Sequence, residues 1–200
     1  MLEMGKTDPQ IKQLMPDPAV RATICAEGLT LDRMIDAALS GYANRPALGE
    51  RAYKIVSEET NGRKIREYLP QFNTITYTEL QSRIKAVANA WQHHPIHNVQ
   101  PTEFVAILGF TGIDFATIDL ACAYAQTVTI PLQSSTSGAD LNEIFENTNP
   151  AALATTIGDL EVAVDHVIQH GNMRSLIVFD YEEKADAERH LFEAAKAKLT

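Results

Sequence analysis

Two glycines, Gly109 and Gly112, bracket a turn between one apolar run, Phe104 to Leu108, and another, Ile113 to Ala125. A dinucleotide fold places its phosphate turn at such a junction, but its fingerprint needs three glycines, and Asp114 stands where the third would fall. The stretch reads as a plain tight turn. Ser134-Ser135-Thr136-Ser137-Gly138 lies at a second strand-to-helix junction, where backbone amides and the helix dipole favour phosphate. It lacks the lysine of a Walker loop, and Ser137 with Asp140 three residues on makes a helix-capping pair. His93, His94 and His97 suggest zinc by residue type, but Pro95 breaks the helix that would align them. Histidine near a helix C-terminus is in any case favoured by the dipole. Asp119 interrupts the apolar helix on a side away from Asp114 and Thr117. A buried carboxylate without a partner is costly, so a hydrogen-bonding neighbour that serves the fold is expected. Nothing in the chain reads as a set of nucleophile, base and orienting acid. The expected catalytic, cofactor-binding and metal-binding residues within these 200 are therefore none.

The apolar pattern locates the elements that carry these residues. From Thr102 to Ser137 run a strand, Phe104 to Leu108, a crossover helix, Ile113 to Ala125, and a strand, Thr127 to Leu132. The alternation continues. Leu141, Ile144 and Phe145 mark a helix stopped by Asn149-Pro150, and Ala151 to Thr155 a strand. Leu160, Ala163, Val164, Val167 and Ile168 mark a helix closed by Gly171, where a left-handed C-cap is wanted. Ser175 to Asp180 is a strand, and Glu182 to Leu199 a charged helix. Parallel neighbours need crossover connections, so residues 102–200 predict a βαβαβαβα portion of an α/β fold, a mostly parallel sheet with flanking helices.

Residues 29–101 predict helix, hairpin and helix packed on that core. Leu31, Met34, Ile35, Ala38 and Leu39 form a stripe on a helix from Leu29 to Tyr42, with Thr30 as N-cap. Ala52 to Ser57 and Lys64 to Leu69 make a small, mostly exposed hairpin around Asn61-Gly62, followed by a short strand, Thr74 to Tyr77. Thr78-Glu79-Leu80-Gln81 is a capping-box pattern opening a helix whose face carries Leu80, Ile84, Val87, Ala88 and Trp91, and which Pro95 stops. Residues 1–28, polar and broken at Pro16 and Pro18, are an extended, short-helical lead-in that wraps another surface.

Hydrophobic residues at 45% and charged residues at 22% place the chain among soluble globular proteins. A net charge of -9 without a basic cluster argues against nucleic acid, which rewards a basic footprint. Cys25 and Cys122 imply no disulfide framework, since Cys122 lies inside the apolar helix. The start, MLEMGKTDPQ, has no secretory pattern, and the run from Ile113 to Leu132 is too interrupted to span a membrane. A cytoplasmic protein is expected.

Several segments resemble a known family. Thr74-Ile75-Thr76-Tyr77-Thr78-Glu79-Leu80 is similar to the first core motif of adenylate-forming enzymes, the acyl-CoA synthetase and nonribosomal adenylation superfamily. Asp119-Leu120-Ala121-Cys122 through Val128-Thr129-Ile130-Pro131-Leu132-Gln133 resembles their second. Thr7 to Gln10, Pro16 to Val20, Gly41 to Gly49, Leu108 to Thr111 and Ile177 to Tyr181 narrow the resemblance to the N-terminal part of the adenylation domain of bacterial carboxylic acid reductases.

That resemblance implies a longer enzyme. The family uses ATP and Mg²⁺ to make an acyl adenylate from a carboxylic acid, captures the acyl group as a phosphopantetheine thioester on a carrier, and reduces it with NADPH to an aldehyde. The partners implied are the remaining adenylation, carrier and reductase domains. The family's phosphate loop, adenine-side motifs, lid lysine, carrier serine and reductase glycines all fall downstream of Thr200, so the segment alone is expected to be inactive, to expose an apolar edge and to self-associate. Many adenylating enzymes have Gly where this chain has Gln126. A Cβ there costs about 1 kcal/mol if the residue is left-handed. The alternatives are a segment of an acyl-CoA synthetase or peptide-synthetase adenylation domain, and a stand-alone, non-catalytic α/β binding module.

Overall fold

The computed structural model describes residues 7–200, so the first part of the predicted lead-in, residues 1–6, lies outside the described residues. The lead-in forms two short helices, α1 (Pro9–Leu14) and α2 (Pro18–Ile24). Asp17 caps α2 through hydrogen bonds from the amides of Ala19 and Val20, and Pro18 occupies a position where its missing N–H costs nothing. Helix α2 packs on α3 (Leu31–Gly41) where Gly41 has no side chain: an added Cβ would lie 2.6 Å from Val20 Cγ2. Thr30 does sit at the N-cap of α3, but its side chain makes no cap hydrogen bond. Leu31 is exposed, so the buried stripe starts one turn later and centres on Leu39.

The hairpin is longer than the alternation suggests. Strands β1 (Pro46–Ser57) and β2 (Lys64–Thr76) pair antiparallel from Ser57↔Lys64 back to Pro46↔Thr76. The separate strand expected at Thr74 to Tyr77 is the far end of β2. The register jumps from Arg51↔Phe72 to Tyr53↔Tyr68, so Leu69, Pro70 and Gln71 stand opposite Ala52 alone. A bulge of this kind hosts a proline that a regular ladder would reject.

Helix α4 (Tyr77–His93) begins one residue before the predicted box. Its N-cap is Thr76, which accepts from Glu79 N at 3.2 Å while Glu79 Oε2 accepts from Thr76 N at 2.7 Å. Gln81 instead donates to Asp36 and Ser40 on α3, and Thr78 donates to the Ala43 carbonyl.

The remaining elements are β3 (Phe104–Leu108), α5 (Ile113–Ala125), β4 (Val128–Leu132), α6 (Gly138–Thr148), β5 (Ala152–Thr156), α7 (Leu160–His170), β6 (Ser175–Phe179) and α8 (Asp186–Leu199). The strands form one parallel sheet in the order β4-β3-β5-β6. Val105, Ile107, Ala152 and Ala154 face α4 and α5, where they meet Ile84, Trp91, Ile118 and Cys122. Ala106, Leu108 and Leu153 face α6 and α7, meeting Leu141, Phe145 and Ala163. Both faces are covered, which is why these strands read as continuous apolar runs. Helix α8 starts later than Glu182 because Glu182 to Ala185 form a turn, with Ala185 N donating to Glu182 O, while Glu182 N donates to Glu188.

Candidate functional site

In an open α/β sheet, ligands bind beyond the carboxyl ends of the strands, at the point where strand order reverses. Here β3 has β4 on one side and β5 on the other, so the reversal falls between the turn after β3 and the turn after β5. An open cleft of about 660 Å³ lies there. Its floor is Phe110 to Gly112 and Thr156 to Asp159, and its wall is the hairpin, through Glu50, Arg51, Tyr53, Arg66 and Tyr68. Local sequence explains the floor. Gly109 has φ +151, and a Cβ on it would lie 2.5 Å from Thr156 Cγ2, so the two turns approach this closely only without a side chain.

The cleft is lined with polar groups that already hold one another. Glu50 Oε1 accepts from the Ile113 amide at 2.7 Å, placing a carboxylate on the N-terminus of α5. Asp159 Oδ2 accepts from both Ser134 and Thr156 hydroxyls at 2.7 Å, tying the loop after β4 to the end of β5. Arg66 donates from Nη1 to Asp180 Oδ1 at 2.7 Å, and from Nη2 to the Asp180 carbonyl and Glu188 Oε2 at 2.9 and 2.7 Å. Its Nε lies 2.7 Å from Glu188 Oε1 as an ion pair in which the N–H is not aligned for a hydrogen bond. Burial works against the Arg66 charge, but Asp180 and Glu188 outweigh it and raise the guanidinium above its ordinary value. Tyr53 donates to Glu182 at 2.9 Å, and burial with that hydrogen bond raises the phenol.

A phosphate does not fit either helix start singled out from sequence. At α5 the Glu50 carboxylate already takes the first amide and would repel a second anion. At α6 Ser137 accepts from Asp140 N at 3.2 Å and donates to its carboxylate at 2.7 Å, so Ser137 is a cap and Asp140 supplies the negative charge. Each of these two helix starts therefore already carries a carboxylate of the chain itself.

The other candidates fall elsewhere. Nδ1 of His94 accepts from the amides of Ile96 and His97, while Nδ1 of His97 contacts Ser175 Oγ at 3.0 Å and the Arg174 carbonyl at 3.1 Å. His97 thus fastens the loop after α4 to the start of β6 while His94 closes that loop on itself, and among the described residues no group of three metal-ligating side chains gathers. The expectation for Asp119 is corrected: it is only half-buried and, among the described residues, forms no hydrogen bond or ion pair. Solvent reaches the carboxylate, which removes the need for a partner. The buried polar group of α5 is Thr117, which donates to the Ile113 carbonyl at 2.7 Å. Sequence reasoning missed Glu50, Arg66 and Asp159, which organise the cleft; Glu and Arg at isolated strand positions carry no local signal. It also missed His166, buried where the apolar stripe pointed to Ile168, which is exposed. Cys122 is buried as expected, and burial pushes its thiol up to about 11.

Comparison with known proteins gives the cleft its context. The sequence profile of AMP-binding enzymes matches residues 53–199. A carboxylic acid reductase from Mycobacterium tuberculosis is 39% identical over 197 residues, which is 98% of this chain and 17% of the relative. The A domain of carboxylic acid reductase from Segniliparus rugosus, solved in complex with AMP and a co-purified carboxylic acid, has TM-score 0.93 at 35% identity, covering 99% of this chain and 31% of that one. The adenylation domain of the carboxylate reductase from Mycobacterium chelonae has TM-score 0.90 at 39% identity, covering 99% and 30%. This chain spans 16–17% of the length of the curated relatives it matches. No helix among the described residues is long and apolar enough to cross a membrane. With its parallel sheet, its hairpin wall and its matched residues 53–199, the chain belongs to the AMP-binding enzyme family and resembles the N-terminal part of a carboxylic acid reductase adenylation domain.

Proposed function

We propose that these residues supply framework to the adenylation domain of a carboxylic acid reductase and contribute no reacting group. In this reading residues 7–28 clasp the core, residues 29–101 wall the cleft and residues 102–200 form part of the domain's sheet. The complete enzyme acts on a carboxylic acid in the cytoplasm. A carboxylate is a poor electrophile, so ATP and Mg²⁺ convert it to an acyl adenylate with loss of pyrophosphate. A phosphopantetheine carrier takes the acyl group as a thioester, and NADPH reduces the thioester to the aldehyde. Those steps rely on groups outside these residues, in the remaining adenylation, carrier and reductase domains. The observation that carries the reading is the match along 99% of the chain, at TM-score 0.93 and 35% identity, to an A domain that holds AMP and an acid. The self-satisfied cleft supports it further, since its carboxylates hold arginine, hydroxyls and amides and leave no nucleophile poised.

The test is a chimera in which the 200 residues replace the matching segment of the M. tuberculosis enzyme. Acid-dependent pyrophosphate exchange and NADPH consumption are expected to survive. Their loss in a chimera that melts cooperatively overturns the assignment. Acid-dependent exchange by the isolated chain overturns the statement that it carries no reacting group.

A further inference from the structure

A buried polar atom without a partner costs free energy, so native structures leave few of them, and each one points to something that satisfies it. Among the described residues five side-chain atoms are of this kind: Arg66 Nε, Thr129 Oγ1, Asn142 Oδ1, His166 Nδ1 and His170 Nε2. The first two are accounted for, Arg66 by its ion pair with Glu188 and Thr129 by the Cys122 thiol beside it. The other three lie on α6 and α7, which cover the same face of the sheet. His166 and His170 are four residues apart on α7 and so share one side of that helix. Their ring centroids lie 6.1 Å apart with planes within 20° of each other. Phe145 of α6 meets both rings edge-on, at 5.1 and 5.7 Å. Asn142 stands one turn before Phe145 on the same side of α6. His166 is 5% exposed and His170 half-buried, so the pair has a buried end and an end that solvent reaches.

We propose that His166 and His170 form a two-histidine site for a divalent first-row transition ion of the kind that imidazole favours, zinc, nickel or copper. All three orphaned atoms can accept, Asn142 Oδ1 by its chemistry and each ring nitrogen in one tautomer. Three acceptors set around Phe145 call for a cation, or for a donor that a cation carries. Metal to nitrogen bonds of about 2.0–2.1 Å let two imidazoles on one ion hold their centroids about 5–6 Å apart, close to the spacing found. Rotation of the half-buried His170 side chain closes the remainder. Asn142 then accepts from a water that the ion retains. Asp165, next to His166 in the chain, is held by Lys198 and does not compete for the ion. Two neutral ligands fall short of the three or four of a structural zinc site, so the ion exchanges and the affinity is on the order of micromolar. Burial that keeps His166 neutral works in the same direction, because a ligating imidazole must be unprotonated. The site lies between two helices, and its case is independent of the adenylation reading.

The test is isothermal titration calorimetry of the untagged 200-residue chain with Ni²⁺, an ion that suits imidazole and competes less than softer ions for the exposed thiol of Cys25. One ion is expected to bind with Kd on the order of 1–100 µM and to raise the melting temperature, while Mg²⁺ does neither. His170→Gln is expected to weaken binding at least about tenfold with an unchanged far-UV spectrum, and Asn142→Leu to weaken it about tenfold. His166→Phe is expected to abolish it, and His170→Gln decides the matter if that variant does not fold. His93→Gln is expected to leave the affinity unchanged. A chain that shows no saturable binding below about 1 mM overturns the proposal. So does an unchanged affinity in the folded His170→Gln protein, or a loss of binding in His93→Gln, which moves the ion to the loop after α4.

Discussion

His166 shows how far one side chain departs from the pattern around it. It lies on α7 with its ring edge-on to Phe145 at 5.1 Å and stacked on His170 at 6.1 Å, and its Nδ1 has no hydrogen-bond partner among the described residues. Burial first, and the neighbouring His170 second, lower its pKa, while Asp165 opposes them. The unfolded chain takes up a proton near its ordinary value of about 6.5, whereas the folded site resists. Stability is therefore complete above that value and falls as pH drops toward the folded pKa. The melting temperature should decline between about pH 7.5 and 5.5, and His166→Phe should flatten the decline. Equal slopes for the two proteins would remove His166 as the cause. At Gln126 the backbone is left-handed, with φ 59 and ψ 29, at the C-cap of α5. Gln126→Gly should raise stability in urea by about 0.5–1 kcal/mol, the loss of Cβ strain exceeding the added freedom of the unfolded chain. A lower midpoint would show that the glutamine side chain stabilises the cap.

Helix α4 illustrates what sequence leaves undecided at the level of an element. The capping pattern occurs twice in register, as Thr76 with Glu79 and as Thr78 with Gln81. Pattern alone does not choose between them. The structure uses the first because Gln81 and Thr78 are drawn to α3 and to the Ala43 carbonyl. Thr76→Ala should accordingly cost about 1 kcal/mol in chemical denaturation. A cost below the error of the measurement would show that the Glu79 carboxylate caps the helix unaided. Strand β2 teaches a similar lesson. Pro70 is a local breaker, so a reading by residue type ends the strand there, but the partner strand continues and the excess residues bulge outward opposite Ala52. Only the pairing partner reveals that the strand resumes.

The hairpin and the sheet are joined across long stretches of chain. Arg66 reaches Asp180 and Glu188, Lys64 N donates to Asp186 at 2.7 Å, and Glu50 caps α5. Arg66 is the centre of this joint, with its side chain 10% exposed and Glu188 18% exposed. Arg66→Met should destabilise by about 2–4 kcal/mol, mostly by leaving the Glu188 carboxylate buried beside an apolar group. Restoration of wild-type stability by the further change Glu188→Gln would confirm that the unpaired carboxylate, rather than lost packing, sets the cost; continued instability would assign it to packing.

Period and punctuation in the chain settled most of the architecture. Apolar runs of strand length, the crossover helices between them, and Asn149 and Gly171 as left-handed stops are local signals, and the parallel sheet follows from their alternation. The motifs around Thr74 to Leu80 and Asp119 to Gln133 also announced the family. The three-dimensional arrangement alone decided which charges meet. Glu50 reaches a helix 63 residues away and Arg66 a turn 114 residues away, and hydrogen-bonding partners at such separations leave no periodic trace in the sequence. It decided equally that Asp119 meets solvent and His166 meets the core, because burial on a helix depends on how neighbouring elements cover it.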